Sequence, residues 1–274
     1  MICVAADYHM HTSFSTDSKA APEEMVKASI KKGLKNICFT DHYDMDFPFY
    51  EEMGKDAFTF NVNQYFEELT KLKDKYKDRI DICIGVEIGL QPHLGAFYKE
   101  MTEKYPFDFV IGSVHLVGGE DPYIGDMFDI KSDDEVYRQT FEEILESVKA
   151  VKDIDVLGHL DYIVRYGKTK NRFYSYDKYK DIIDEILKVV IENGKGIEMN
   201  MAGFKYGLQN PHPHPDIIKR YKELGGEIIT VGADGHAPEQ IAYNYKDAKK
   251  ILKECGFEYY TIFKGRKPIF TKIA

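Results

Sequence analysis

The sequence contains no tryptophan, only four cysteines, and no apolar run of the roughly 20 residues that a membrane-spanning helix requires. The cysteines, Cys3, Cys38, Cys83 and Cys255, are widely separated and form no CxxC pair, which excludes a closely spaced thiolate knot or a dithiol redox motif. Three of them sit in apolar segments, where a free thiol behaves as a small buried hydrophobe. The opening residues have neither the charged start nor the long apolar core of a secretory leader. The expectation is a reduced, soluble, cytoplasmic protein.

Positive charge is also in short supply. There are 46 Asp plus Glu against 37 Lys plus Arg, a formal net charge of −9, and that balance argues against broad adhesion to nucleic-acid phosphates. No Ser- or Gly-rich linker, low-complexity tract or short repeat interrupts the chain, so a single domain over residues 1–274 is expected. That length can bury a sizeable core and suits one α/β barrel. The 20 tyrosines and 17 phenylalanines supply aromatic packing in place of tryptophan.

Short apolar runs alternate with longer amphipathic, charged segments throughout. Strands are predicted at Ile2–Asp7, Asn36–Thr40, Ile80–Val86, Phe107–Gly112, Val156–Gly158, Gly196–Met199 and Ile228–Val231, with a terminal strand at Tyr259–Phe263. Helices are predicted at Pro22–Lys32, Val62–Tyr76, Leu94–Lys104, Asp133–Val151, Asp177–Glu192, Pro215–Leu224 and Pro238–Glu254. Ser132-Asp133-Asp134-Glu135 reads as a capping box, and Gly33, Gly194 and Gly225 stand where helices should stop. Such alternation implies a parallel sheet, open or closed.

The histidines and several isolated acids fall at the ends of these strands. His9 and His11 follow the first, in DYHMHT; Asp41-His42 follows the second; Glu87 closes the third. His115 follows the fourth, His159 and Asp161 the fifth, in VLGHLD, and Asp234 and His236 the seventh, in GADGH. Alternate residues of a strand share a face, so His9 and His11 should project together, as should His159 and Asp161. In a parallel barrel all these strand ends open onto one face. Burying so many polar side chains together without a cation would be costly, and an imidazole and carboxylate set suits zinc, manganese or iron. Taken singly, His115 could be a hydrogen-bonded core histidine, and Glu87 or Asp41 a cap. His212 and His214, in the proline-flanked NPHPHPD, read as loop residues at a pocket rim. His93, in LQPHLGA, reads either as a helix cap or as a substrate contact.

Together DYHMHTSFSTDS, FTDHYD, GVEIG, IGSVH, GHLDYIVRY, IEMN and GADGH, taken in order from residue 7 to residue 236, resemble the polymerase and histidinol phosphatase (PHP) superfamily. The ending FKGRKPIF is similar to its monofunctional histidinol-phosphatase branch. The resemblance implies a distorted (β/α)7 TIM-like barrel with three divalent metal ions at the C-terminal ends of the strands. One ion would be held by His9, His11, Glu87 and Asp234; a second by Glu87, His115 and His159; a third by Asp17, His42 and His236. Asp17 has the alternative reading of a cap before the Pro22 helix. The activity implied is hydrolysis of L-histidinol phosphate, a small phosphate monoester. The alternatives are a related phosphoesterase acting on phosphotyrosine or nucleic acid ends, and an inactive metal-binding regulatory protein.

Two further roles follow. Arg165 would clamp phosphate through paired hydrogen bonds. Asp161 would donate the leaving-group proton or else orient a ligating histidine. Asn200 is a candidate substrate contact or a structural strand-end residue. The substrate amine calls for an acid beside the pocket, with Asp44, Asp46 and Glu51 as candidates. Neither a membrane nor a nucleic-acid partner is expected, and oligomeric state is not readable from the sequence.

Overall fold

A computed structural model describes residues 4–51, 53–54 and 56–274. Eight strands, β1 (Ala6–Asp7), β2 (Asn36–Phe39), β3 (His42–Tyr43), β4 (Asp81–Gly89), β5 (Phe109–Ser113), β6 (Val156–Leu157), β7 (Gly196–Asn200) and β8 (Ile229–Gly232), form one sheet. Every pair in it is parallel. β3 lies just beyond β2 and pairs with the same neighbour, β4, so the two act as one interrupted stave. The order β1-β2-β4-β5-β6-β7-β8 closes on itself, because Tyr8 N–H donates to Val231 O at 3.0 Å and Asp234 N–H to His9 O at 2.9 Å. The result is the seven-staved TIM-like barrel implied by the family resemblance. Among the described residues, no helix is long and apolar enough to cross a membrane.

The helices are α1 (Pro22–Lys32), α2 (Val62–Tyr76), α3 (Gly95–Lys104), a short α4 (Met127–Ile130), α5 (Asp133–Ala150), α6 (Lys180–Glu192), α7 (Pro215–Glu223) and α8 (Tyr245–Glu254). α2 shows why they cover the barrel: Val62, Tyr65, Leu69, Leu72 and Tyr76 are all buried, and their three-and-four spacing draws one apolar stripe down the helix. β4, by contrast, is buried along nearly its whole length, as expected of a strand covered on both faces. Ser132 caps α5, with Glu135 reaching back to its backbone N–H at 2.9 Å. Gly33 ends α1 in the left-handed region, φ 85°, where a side chain would be strained.

Three expectations are corrected. The predicted Pro238–Glu254 helix is a single 3-10 turn at Pro238–Gln240 followed by α8; Ala242 and Asn244 adopt φ of 49° and 54°, and Ala242 N–H is drawn onto Asp7 Oδ2 at 2.9 Å. The Asp177 helix starts at Lys180, after a 3-10 turn at Tyr176–Tyr179. The first strand is shorter than Ile2–Asp7, and Ile2 and Cys3 lie outside the described residues.

The chain's end contributes β9 (Tyr259–Lys264) and an unexpected antiparallel partner, β10 (Lys267–Lys272). The joining residues Gly265 and Arg266 both have positive φ, the twist that a tight hairpin requires. This hairpin closes the barrel end opposite the histidines. Phe263 packs on Phe109 with ring centroids 4.9 Å apart and accepts the Tyr8 hydroxyl at 2.9 Å. Arg266 Nε donates to the buried Asp155 at 2.5 Å, and Asp155 also accepts Val110 N–H at 2.8 Å. Removing the guanidinium would leave a buried carboxylate without its cation. Arg266→Ala should therefore lower unfolding stability by about 3 kcal/mol, read from the urea midpoint, with Arg266→Lys recovering part of the loss.

Candidate metal centre

The strand ends place the expected cluster together. His9 and His11 are fully buried and project side by side, their ring centroids 5.0 Å apart. His9 Nε2 lies 3.1 Å from Glu87 Oε2 and 3.8 Å from Asp234 Oδ1; His11 Nε2 lies 3.5 and 3.3 Å from the same two atoms. The other oxygen of Glu87, Oε1, lies 3.0 Å from His159 Nε2 and 3.2 Å from His115 Nε2. Asp17 Oδ2 approaches His236 Nε2 at 3.0 Å and His42 Nε2 at 3.7 Å. His42 also meets Glu87 Oε2 through Nδ1, at 3.1 Å. Four overlapping triplets in this cluster, drawn from eight residues, have donor atoms within 4.8 Å of one another.

The local geometry follows from the barrel. Glu87 sits in β4 directly beside His42 of β3 in the parallel register, so the interruption after β2 delivers His42 to it. Gly232 faces this region for want of space: a Cβ there would stand 2.3 Å from both His9 Cβ and Glu198 Oε1. Asp234 adopts φ 52°, a turn that an aspartate tolerates better than most residues.

Electrostatics mark the cluster as a cation site. Burial pushes the Glu87 carboxyl up, but His9, His42 and His115 together outweigh this and hold it well below the usual range. Burial, reinforced by His236 and His42, holds His11 well below the ordinary imidazole value. A neutral His11 presents a lone pair, and its Nε2 is buried without a hydrogen-bond partner among the described residues. Such an orphaned nitrogen, surrounded by other nitrogen and carboxylate donors, suits a divalent ion of the zinc, manganese or iron kind.

An outer ring of acids orients the imidazoles. His9 Nδ1 meets Glu198 Oε1 at 2.7 Å and His115 Nδ1 meets Asp44 Oδ2 at 2.5 Å. His11 Nδ1 reaches Ser15 Oγ at 3.2 Å, and that hydroxyl donates to Asp41 Oδ1 at 2.8 Å. Each contact favours a proton on the outward nitrogen and fixes the ring so that the inward one faces the cluster; burial opposes charge on His9 and His115, but the carboxylates around them outweigh it and raise both well above the ordinary imidazole value. Sequence reasoning missed Glu198 altogether. It read Asp41 as a turn cap, which is partly right: Asp41 also accepts Thr12 N–H at 2.6 Å. Asp44 was a candidate for the substrate amine, and one of its oxygens is instead committed to His115.

The other expected site residues divide. Arg165 lines a cavity of about 350 Å³ together with Glu87, His115, His159 and Asp234. Its guanidinium lies 5.1, 4.7 and 4.2 Å from the ring centroids of Tyr162, Tyr166 and Tyr206. Its Nε is buried and unpartnered among the described residues. Lys205, which sequence reasoning also missed, lines the same cavity and is fixed by donation to Asp234 O at 2.6 Å.

Asp161 is not in the cavity lining. It is buried, with Oδ1 on His212 Nδ1 at 2.7 Å and Oδ2 accepting Tyr174 Oη at 3.1 Å and His214 N–H at 2.8 Å. The parity argument fails here because β6 ends at Leu157 and the chain turns into a 3-10 segment at Tyr162–Arg165. His212 is accordingly a buried partner of Asp161 rather than a rim residue, its backbone paired with that of Asn200. Asn200 is fully buried; its amide donates to Glu198 at 3.1 Å and its carbonyl oxygen accepts Ala202 N–H at 2.9 Å, a structural arrangement. His93 is largely exposed and pairs with Asp46 at 3.0 Å, outside the cavity lining.

Comparison with known proteins identifies the family. The PHP domain model matches residues 7–202. A protein of Clostridium acetobutylicum described as a probable histidinol-phosphatase is 36% identical, over 92% of this chain and 94% of its own. A histidinol-phosphatase of Lactococcus lactis is 34% identical, over 95% of each. The crystal structure of histidinol phosphate phosphatase from Lactococcus lactis, complexed with zinc, L-histidinol and phosphate, superposes with a TM-score of 0.87 at 32% identity, covering 97% of this chain and 98% of that one. The chain belongs to the PHP domain family, in its histidinol-phosphatase branch.

Proposed function

We propose that this chain is a metal-dependent phosphomonoesterase that hydrolyses L-histidinol phosphate to L-histidinol and phosphate, working in the cytoplasm as a single barrel domain over residues 1–274. The observation that carries the reading is the juxtaposition in one cavity of the Glu87 cluster and the Arg165 guanidinium, which has no carboxylate partner among the described residues. The likeness to histidinol-phosphatases over nearly the whole chain supports the substrate.

The residues would hold three divalent ions: His9, His11, Glu87 and Asp234 the first; Glu87, His115 and His159 the second; Asp17, His42 and His236 the third. Zinc is supported by the Lactococcus relative, and the mixed donor set also suits manganese or iron. When bound, such ions make a water acidic enough to act as nucleophile near neutral pH and neutralise charge on phosphoryl oxygens.

The chain's own groups supply the rest. Arg165 offers a planar donor fork to the phosphoryl oxygens, and the three tyrosine rings hold that fork in place. Lys205 adds a second fixed cation to the cavity. Glu198, Asp44 and the Ser15–Asp41 pair take the outward ring N–H of His9, His115 and His11 and fix the ring orientation, so that the inward nitrogens would serve as ligands once ions are bound. Asp161 takes no part as a proton donor, since His212, Tyr174 and His214 occupy its carboxylate. The acidic chain also argues for a small monoester over a nucleic-acid end.

Two outcomes test this reading. Chelation should reduce phosphate release from L-histidinol phosphate by at least about a hundredfold, with recovery on adding zinc or manganese; His42→Ala or His115→Ala should do the same while leaving the far-ultraviolet circular dichroism unchanged. Turnover that survives chelation, or metal-loaded protein that releases phosphate from no ester, removes the proposal. Arg165→Ala should lower kcat/KM by about 100-fold, the loss of a bidentate charge-assisted contact. Arg165→Lys should recover little of it, because a point charge lacks the fork and the stacking face; full activity in either variant would take Arg165 out of the phosphate site.

A further inference from the structure

Arg165 and Lys205, the two fixed cations of the cavity lining, stand on different segments of chain. Arg165 ends the 3-10 turn Tyr162–Arg165 beyond β6, and Lys205 comes just after the 3-10 turn Met201–Phe204 beyond β7. Two of the rings around the guanidinium, Tyr162 and Tyr166, belong to its own segment; the nearest, Tyr206 at 4.2 Å, belongs to the other. Ring faces attract a cation without fixing it to one point. The span between the two cations is therefore set by how the two segments are held against each other.

That seam is hydrogen-bonded at three levels. At the exposed rim Lys170 Nζ donates to Tyr206 O at 2.9 Å. Deeper, Asn171 Nδ2 donates to Leu208 O at 2.5 Å and to Asn210 Oδ1 at 3.2 Å. At the base lies the Asp161 carboxylate, only 1% exposed. Its Oδ1 meets His212 Nδ1 at 2.7 Å and its Oδ2 accepts His214 N–H at 2.8 Å, while the Tyr174 hydroxyl, from the far end of the β6 segment, donates to Oδ2 at 3.1 Å. A buried, charge-assisted node of this kind dominates over the rim contacts. Among the described residues this carboxylate bonds to none of the candidate metal ligands.

His212 carries the node into the cavity. Its backbone exchanges both hydrogen bonds with Asn200, at 2.7 and 2.8 Å, and so closes residues 201–211 into a loop. The floor of that loop has no slack, since a Cβ on Gly203 would stand 2.2 Å from Asn210 O. Lys205 N–H donates to Ala202 O at 2.7 Å within the same loop. Packed this closely, the loop shifts as one body when its closing residue shifts.

On the phosphomonoesterase reading, on which this inference rests, we infer that Asp161 is a positioning residue for phosphate: it registers the β6 segment against the β7 loop and so sets the Arg165 fork at a fixed span from Lys205 and Tyr206. It acts through Arg165 and touches no substrate atom. A carboxylate is needed because three donors converge from two sides, and an amide would turn its own N–H groups toward one of them.

A double-mutant cycle on the zinc-loaded protein tests this, read as the Kd of inorganic phosphate by calorimetry and as kcat/KM for L-histidinol phosphate. Asp161→Asn should weaken phosphate binding and lower kcat/KM by about tenfold each, at unchanged zinc content. In the Arg165→Ala background the same change should cost less than about twofold, because no fork is left to position. Asn171→Ala, which loosens the same seam and leaves the buried carboxylate alone, should show that pattern at about threefold, and it carries the test if Asp161→Asn does not fold. Losses that multiply in the double variant, or phosphate binding unchanged in the single one, overturn the inference. So does a loss repaired by added zinc, which assigns Asp161 to the support of His159 instead. A wild-type protein that binds phosphate but releases none from the ester overturns the phosphatase reading, and the phosphate Kd cycle then decides Asp161 by itself; one that binds no phosphate removes both.

Discussion

The Glu87 carboxylate is the point on which the structure turns. It is completely buried near the C-terminal end of the longest strand of the barrel, and its two oxygens divide the surrounding imidazoles: His9 and His42 at Oε2, His115 and His159 at Oε1. Ser113, on the next strand, donates to Oε1 at 2.7 Å. An isolated carboxylate at such depth would be strongly destabilising, so its place is tenable only because four separate stretches of chain bring nitrogen or hydroxyl groups to it. That requirement links strand register to chemistry. A shift of one residue in β4 would send Glu87 to the other face and dissolve the cluster.

The two ends of the barrel carry separate burdens. At one end the β9–β10 hairpin stops the barrel with Phe263 and ties the beginnings of β5 and β6 through Arg266 to Asp108 O and Asp155. At the other end, the strands run out into long segments that hold buried polar groups in place of apolar ones. Such a division lets the core be stabilised without constraining the cavity, as barrel enzymes commonly do. It also explains why the end bearing Glu87 tolerates positive-φ residues such as Asp234 and Ala242: their strain is held by contacts from Asp7, whose Oδ1 and Oδ2 accept Ala233 and Ala242 N–H at 2.9 Å each.

Much of this was legible in the sequence. Alternation of short apolar runs with amphipathic segments gave seven staves and most helices, and side-chain parity placed His9 and His11 together because the chain stays extended past β1, bridging Met10 to Gly235. The same rule misplaced Asp161, where extension ends at Leu157, and no local signal in VLGHLD announces that ending. Glu198 was hidden for another reason: its partner His9 is 189 positions away, and only barrel closure makes them neighbours. β10 was overlooked because KPIFTK has a proline and shows Ile269 and Phe270 to the outside, so it lacks the half-buried alternation by which strands are read. His212 was obscured by its prolines, which suggested a surface turn although its backbone pairs with Asn200.

The balance of charge in the cavity explains why anion binding and cation binding belong together here. Among the described residues, Asp17, Glu87 and Asp234 line it against two fixed cations, Arg165 and Lys205. Once the histidines give up their protons to act as ligands, that lining by itself is net negative and would repel a phosphate dianion approaching through a low-dielectric cleft. On the proposed function, Arg165 and Lys205 would complete a phosphate site whose remaining positive charge comes from ions held by the carboxylates and histidines. The same carboxylates that would oppose phosphate beside neutral imidazoles are what would gather enough divalent charge to bind it, and the unpartnered nitrogen of His11 is a donor left open for such an ion.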